Sequence, residues 1–209
     1  MTVNTTLRTA LRSLVAVGLL AAATPVALAA KVGEPAPAFS GVDVDGKAFN
    51  LADAKGKYVV LEWHNQGCPF VKKHYSSGNM QHLQEEWTGK GVTWVSVISS
   101  APGKQGFVTP EQEKAYLKEQ KASPSEVLLD PEGKIGKLYA AKATPHMFVI
   151  DPKGQVIYAG AIDDKPTTDV ADVKGARNYV AEALTESMAG KAVATPSTPA
   201  YGCGMKYND

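Results

Sequence analysis

Two cysteines are the residues of this 209-residue sequence whose type and placement could do chemistry. Cys68 follows an apolar run that is typical of a buried strand, and Pro69 comes directly after it. Proline is favoured at the first position of a helix, so the sequence places Cys68 at a helix N-terminus. Unpaired N–H groups and the helix dipole favour the nucleophilic thiolate there. The alternative is an inert, buried cysteine, a common state of free cysteines.

The elements around Cys68 predict how it is positioned. Residues 58–63 and 92–98 are β-branched, apolar runs, typical of strands in a sheet that is covered on both faces. Helical spacing of apolar residues between them predicts a helical connection and therefore a parallel pair of strands. Upstream, Asp45 and Gly46 form a turn that predicts an N-terminal hairpin.

The rest of the chain continues the alternation of strands and helices. Thr109, Pro110 and Gln112 form a capping box with proline at the first helical position, which predicts a helix over residues 110–121. The remaining predicted elements are a strand at 126–129, a short helix at 134–140, an antiparallel hairpin at 146–160 and an amphipathic helix at 173–184. The fold class is therefore α/β, a central mixed sheet flanked by helices, with an N-terminal hairpin and a C-terminal tail.

The N-terminal segment is typical of a cleaved secretory signal. It has Arg8 and Arg12, no acidic residue, an apolar run over residues 14–23, and small residues at Ala27 and Ala29. The run is short for a membrane span, which needs about 20 residues. We expect cleavage after Ala29, export to a bacterial periplasm, and no membrane association afterwards. The sequence thus predicts three parts, which are a signal peptide at 1–29, one folded domain at 30–190 and a flexible tail at 191–209.

Charge and cysteine count limit the possible partners. The chain has 22 basic and 21 acidic residues, so it lacks the basic footprint of a nucleic-acid-binding protein. In an oxidising compartment two thiols are often found as a disulfide, and Cys68 with Cys203 is the one intramolecular pairing available.

Four segments carry a family resemblance, namely VGEPAPAF, NQGCPFVKKHY, ATPHMFVID and GCGMKY. They resemble the exported redoxins of the thioredoxin fold that are described as peroxiredoxin-like or AhpC/TSA-like. The resemblance spans essentially the whole mature chain, so residues 30–190 are expected to be a thioredoxin-like redoxin domain. It implies that Pro145 is cis and packs against Cys68, and that Thr144 offers its backbone to a substrate peptide. The residues expected to support this site are Trp63, Asn65, Gly67 and Pro69.

The sequence also departs from the patterns of thioredoxins and of peroxiredoxins around the reactive cysteine. Val71 stands three positions after Cys68, where a thioredoxin has its second cysteine, so a second thiol must come from elsewhere. Cys203 on the tail is the candidate resolving cysteine. Where peroxiredoxins have a proline and a threonine before the peroxidatic cysteine, this chain has Leu61, His64 and Asn65.

The first hypothesis is an enzyme of thiol–disulfide exchange, in which Cys68 attacks and Cys203 resolves the mixed disulfide. Its expected partners are protein or small-molecule thiols and disulfides, with a periplasmic thiol reductant or oxidant, and no cofactor is expected. Lys72 and Lys73, in the second turn of the helix, are expected to face solvent and to add little to the field at the sulfur.

Two other activities stay open. A copper-binding or other soft-metal-binding redoxin would use donors from the set Cys68, His64, His74 and His146. A thiol-dependent peroxidase would form a sulfenic acid on Cys68 that condenses with Cys203.

Overall fold

The computed structural model describes Met1 and residues 29–208 of the chain. The predicted signal peptide at 1–29 therefore lies outside the described residues, apart from its two ends. In the part that is described, no helix combines the length and the apolarity that a bilayer crossing requires.

The predicted elements follow in the expected order, but the last helix begins at Tyr179 and not at residue 173, and two short strands at residues 143–144 and 203–204 were not predicted. The strands are β1 (Ser40–Val42), β2 (Ala48–Asn50), β3 (Val59–Trp63), β4 (Thr93–Ile98), β5 (Glu126–Leu129), β6 (Ala143–Thr144), β7 (His146–Ile150), β8 (Val156–Gly160) and β9 (Cys203–Gly204). The α-helices are α1 (Pro69–Ser76), α2 (Asn79–Gly89), α3 (Pro110–Gln120), α4 (Lys134–Leu138) and α5 (Tyr179–Met188). Short 3-10 turns cover Leu51–Ala54 and Val170–Val173.

The central sheet has five strands in the order β5-β4-β3-β7-β8. β3 pairs in parallel with β4, and β4 with β5, whereas β7 is antiparallel to both β3 and β8. The predicted mixed sheet is therefore confirmed, together with the parallel β3–β4 unit and the β7–β8 hairpin. β1 and β2 form the predicted N-terminal hairpin, and β6 pairs with β9 apart from the main sheet.

The two faces of the sheet are covered by different elements. Leu61 and Trp63 of β3 pack into a core with the N-terminal hairpin and α4. Val60 points to the other face, into a core with α1, α2 and α5 that includes Cys68. Successive strand residues point to opposite faces, so Glu62 is directed to the side of Val60. All five residues of β3 are buried, as expected for a strand between two layers.

Two local predictions are also confirmed. The Thr109 side chain accepts from the N–H of Gln112 at 3.3 Å, and the Gln112 side chain accepts from the N–H of Thr109 at 2.9 Å, which completes the capping box of α3. The Thr144–Pro145 peptide bond is cis. This bond separates β6 from β7 and so places a turn beside the start of α1.

Candidate active site

Cys68 is the N-cap residue of α1, and Pro69 occupies the first helical position. A tight turn leads into it. The Asn65 side chain accepts from the N–H of Gly67 at 2.8 Å, and the N–H of Cys68 donates to the carbonyl of Asn65 at 2.9 Å. Gln105, from the loop after β4, donates to the carbonyl of Gly67 at 2.9 Å. Asn65, Gly67 and Pro69 therefore shape the backbone that presents the sulfur.

The Cys68 side chain is fully enclosed, with 0% of its surface exposed. Its sulfur lies 3.1 Å from the carbonyl oxygen of Thr144, to which the thiol donates. Burial alone raises the pKa of the Cys68 thiol, but the neighbouring Cys203 thiol and the backbone N–H groups at the start of α1 outweigh burial and lower it. Cys68 is thus a buried cysteine whose pKa lies below its ordinary value.

Cys203 reaches Cys68 through strand pairing. β9 is antiparallel to β6, with Cys203 opposite Thr144 and Gly204 opposite Ala143. Burial and the hydrogen bond to Cys68 raise the pKa of Cys203 to about 11. The two sulfurs therefore differ, because the pKa of Cys68 is lowered and that of Cys203 is raised. Both are free cysteines in the structure.

We call residues 196–208 the strap, because this part of the predicted tail lies across the domain. Its first section bonds to the end of β8, where the N–H of Ala159 donates to the carbonyl of Pro196 at 3.1 Å. Its last section bonds to the loop after β4, where the N–H of Ala101 donates to the carbonyl of Lys206 at 2.9 Å. Contacts on both sides of Cys203 thus hold it in place; the flexibility expected of residues 191–209 stays a prediction.

Tyr207 fixes the far end of the strap. Its hydroxyl donates to the carbonyl of Ala141 at 3.2 Å. Its ring lies so close to Gly133 and Gly136 that a Cβ at either glycine would overlap it. Two glycines therefore provide the space into which this ring packs.

Trp63 lies away from the sulfurs, on the other face of the sheet. Its indole N–H donates to the hydroxyl of Ser99 at 3.1 Å, and its ring contacts those of Tyr139 and Phe148 at centroid distances of 5.5 and 5.3 Å. Trp63 thus packs in the opposite core from Cys68. Of the expected site residues, the structure brings together Cys68, Thr144, Pro145 and Cys203.

The three histidines that the soft-metal alternative would use as ligands contact different residues. His74 lies between Asn79 and Tyr201, and the ring of His146 accepts from the N–H of Lys142. His64 lies between two glutamates. Within the described residues, no group of three or more His, Cys, Asp or Glu side chains could hold a metal ion.

The expectation that Lys73 faces solvent is wrong, although Lys72 is exposed. The side chain of Lys73 is 0% exposed, and its ammonium lies 3.5 Å from a carboxylate oxygen of Asp163. It also donates to the carbonyl of Lys165 at 2.7 Å. The loop after β8 thus supplies a charge partner for Lys73, which helical periodicity alone could not identify.

A second buried polar group, Glu62, was not among the predicted site residues. Its carboxylate accepts from the indole N–H of Trp94 at 2.8 Å, the hydroxyl of Tyr75 at 2.9 Å and the hydroxyl of Ser96 at 3.0 Å. His64 lies 3.7 Å from Glu62 and 3.7 Å from Glu113. The available signal was an acidic residue inside an otherwise apolar strand, since buried carboxylates need partners.

Comparison with known proteins identifies the family. The profile of the AhpC/TSA family matches residues 32–159. A search of curated proteins finds no match.

Solved structures support the fold. An uncharacterized conserved protein from Geobacillus kaustophilus is 26% identical with a TM-score of 0.71, over 85% of this chain and 93% of that one. A hypothetical protein from Sinorhizobium meliloti is 24% identical with a TM-score of 0.71, over 87% of this chain and 97% of that one. The thioredoxin domain of a thiol-disulfide oxidoreductase from Bacteroides vulgatus is 25% identical with a TM-score of 0.50, over 62% and 87%. The chain belongs to the AhpC/TSA family and has a thioredoxin-like fold.

Proposed function

We propose that the protein is an exported thiol–disulfide oxidoreductase in which Cys68 is the nucleophile and Cys203 the resolving cysteine. One observation carries the proposal. β9 pairs with β6 in the register that sets Cys203 opposite Thr144, whose carbonyl oxygen lies 3.1 Å from the Cys68 sulfur. Attack of a Cys203 thiolate on a mixed disulfide at Cys68 requires this proximity of the two residues.

The reaction proceeds in two exchanges. The Cys68 thiolate attacks one sulfur of a substrate disulfide, forms a mixed disulfide, and releases the other sulfur as a thiolate that takes a proton from solvent. Cys203, once deprotonated, attacks the Cys68 sulfur and releases the second substrate thiol. The protein is left with a Cys68–Cys203 disulfide, so it loses two electrons and the substrate gains two. A thiol reductant restores both cysteines, and the opposite direction runs through the same steps.

The other parts of the proposal are export and the class of redox partner. Export rests on the signal-like pattern of residues 1–29, followed by the domain at 30–190 and the tail at 191–209. The thiol-disulfide oxidoreductase from Bacteroides vulgatus supports protein or small-molecule thiols and disulfides as partners. A periplasmic reductant or oxidant would complete the cycle.

Substitution of each cysteine tests the division of roles. With a peptide disulfide, Cys203→Ser should accumulate a peptide adduct on Cys68, because nothing resolves it. The wild-type protein should instead gain an internal disulfide, and Cys68→Ser should gain neither. Intact-mass spectrometry of acid-quenched samples distinguishes these products. An adduct on Cys203 in the Cys68→Ser protein would reverse the roles, and a Cys203→Ser protein that turns over at the wild-type rate would remove Cys203 from the cycle.

Peroxide reduction is a second candidate, favoured by the family match. The Cys68 thiolate would displace an alcohol or water from the peroxide and become a sulfenic acid, and condensation with the Cys203 thiol would release water. Stopped-flow mixing of the reduced protein with hydrogen peroxide separates the two activities. A faster reaction with peroxide than with the peptide disulfide would favour the peroxidase.

A further inference from the structure

A cluster of buried charged side chains beside α1 has no part in the exchange reaction. Lys73 and His74 lie on α1, and Asp163 lies in the loop after β8. A carboxylate oxygen of Asp163 is 3.5 Å from the Lys73 ammonium and 3.9 Å from the His74 ring. The side chains of all three are at most 1% exposed. A buried ion pair is costly unless its remaining hydrogen bonds are made, so each further partner of this cluster matters.

The strap supplies one of those partners. The hydroxyl of Tyr201 donates to Asp163 and lies 3.2 Å from the Nε2 of His74. The ring of Tyr201 packs against that of Phe70 at a centroid distance of 5.8 Å, and the Lys73 ammonium lies 5.8 Å from its centre. Tyr201 is thus held by charge, hydrogen bonding and ring packing at once.

One arrangement of protons satisfies this chain of contacts. The Asn79 amide donates to Nδ1 of His74 at 3.0 Å, which leaves the proton of the neutral ring on Nε2. Nε2 then donates to the Tyr201 hydroxyl, and that hydroxyl donates to Asp163. Burial lowers the pKa of His74 to about 4, in agreement with a neutral ring. The cluster is therefore complete only while Tyr201 is in place.

Tyr201 lies two residues before Cys203, so its position controls the part of the strap that lies against Thr144. Gly202, between them, has φ of 134°. A Cβ at Gly202 would overlap the carbonyl of Thr144, so the strap approaches this edge of β6 as closely as a backbone can. While the strap lies there, the Cys68 side chain has 0% of its surface exposed, and Cys203 packs against the core that contains Cys68.

We propose that Tyr201, bound by Asp163, His74 and Lys73, is a latch that holds the strap over Cys68, so that a polypeptide disulfide reaches Cys68 only by displacing the strap from β6. The inference rests on the proposed function for what Cys68 does once it is reached. The partner is an extended cysteine peptide that takes the register of the strap. Because that register brings the residue before the cysteine against the Thr144 carbonyl, this residue is glycine.

Alkylation of Cys68 tests the latch without any exchange reaction. We compare the rate with iodoacetamide in a Cys203→Ser background, with and without Tyr201→Phe, which keeps the ring and removes the hydroxyl. Losing a hydrogen bond to a charged group should raise the rate roughly tenfold through more frequent opening. The midpoint of the pH profile should stay unchanged, because access rather than thiolate formation is altered.

Tyr58→Phe is the matched control. The hydroxyl of Tyr58 also makes a side-chain hydrogen bond, to Ser187 of α5 at 3.0 Å, and not to the cluster at Asp163. It should leave the alkylation rate unchanged. An unchanged rate in a folded Tyr201→Phe protein, with its cooperative thermal transition retained, would overturn the latch. Faster alkylation together with no reaction towards any disulfide would instead retain the latch and reject the proposed function.

Two peptides test the partner. We use mixed disulfides of short peptides that differ only in having Gly-Cys or Ala-Cys, with the Tyr201→Phe, Cys203→Ser protein. A residue with a side chain is strained in the backbone conformation of Gly202, so the Gly-Cys peptide should react roughly tenfold faster. Equal rates would overturn the shared register of strap and substrate.

Discussion

Two buried charge clusters adjoin α1, and they are built differently. Glu62, His64 and Glu113 lie between β3 and α3, and each belongs to the folded domain. The second cluster joins α1 to the loop after β8 and is completed by Tyr201 of the strap. The first can be disrupted only by disturbing the domain, whereas the second can lose a partner by movement of the strap. The difference separates a cluster suited to stability from one suited to control.

The two histidines of these clusters have opposite pKa shifts. Burial disfavours the charged ring in both. At His64, contacts with Glu62 and the charge of Glu113 outweigh burial and raise the pKa above 6.5. At His74, burial and the positive charge of Lys73 both lower the pKa. The charge of Asp163 does not outweigh them, so the pKa falls to about 4. His64 has two glutamates beside it, whereas His74 has one aspartate and a lysine. The pKa shifts of the two histidines accordingly have opposite signs.

Removal of the central carboxylate of the first cluster should have the largest effect on stability. Glu62→Leu leaves His64 and four buried donors, Tyr75, Gln84, Trp94 and Ser96, without their acceptor, and such losses cost about 3–5 kcal/mol. Urea unfolding measures the change. Glu62→Gln is the matched control, because it keeps the shape and one acceptor oxygen and should cost less. Equal stability of Glu62→Leu and wild type would show that the first cluster does not stabilise the domain.

The pH dependence of stability should show the opposite shifts. Below 6.5 and down to about 4, the unfolded chain binds a proton at His74 that the folded protein does not, so stability falls as pH falls. Above 6.5 the folded protein keeps a proton on His64 that the unfolded chain has lost, so stability falls as pH rises. Each group changes the free energy of unfolding by at most about 1.4 kcal/mol per pH unit.

Urea titrations between pH 5 and 8 with two variants separate these contributions. His74→Gln should reduce the loss of stability on the acid side, although the buried His146, whose pKa is also lowered to about 4, keeps part of it. His64→Gln should remove the loss above pH 6.5. If both substitutions affected the same side of the profile, the two environments would not be opposite.

The smallest effect is expected at the capping box of α3. Thr109→Ala removes the acceptor for the N–H of Gln112 and should cost about 1 kcal/mol in urea unfolding. Since α3 carries Glu113, the first cluster should loosen while alkylation of Cys68 stays unchanged. Thr109→Ser keeps the hydroxyl and should behave like wild type. A large rise in alkylation on Thr109→Ala would connect the two clusters.

Local patterns in the sequence were sufficient for much of the fold. The capping box at Thr109, the turn at Asp45 and Gly46, and Pro69 after Cys68 depend on neighbours within a few residues, and the structure confirms all three. The apolar runs predicted β3 and β4 for the same reason, because strand character is written in consecutive residues.

The arrangement around the sulfurs was harder to predict. Lys73 pairs with Asp163, 90 residues away, and Cys203 pairs with Thr144 through a short strand with no apolar pattern. The sequence identified Cys203 on the tail as the candidate resolving cysteine but did not predict the register of its strand, since two-residue strands carry no periodicity. The burial of Glu62 likewise depends on donors from three other elements.

The enclosure of Cys68 also affects how the sulfur withstands chemical damage. Irreversible loss of a cysteine to sulfinic or sulfonic acid requires a sulfenic acid to meet further oxidant. Here the sulfur is shielded from bulk solution, and the first species able to reach it is the thiol of Cys203. In the proposed cycle, a sulfenic acid formed on Cys68 would condense with the Cys203 thiol to a reducible disulfide, which removes the species that further oxidant attacks.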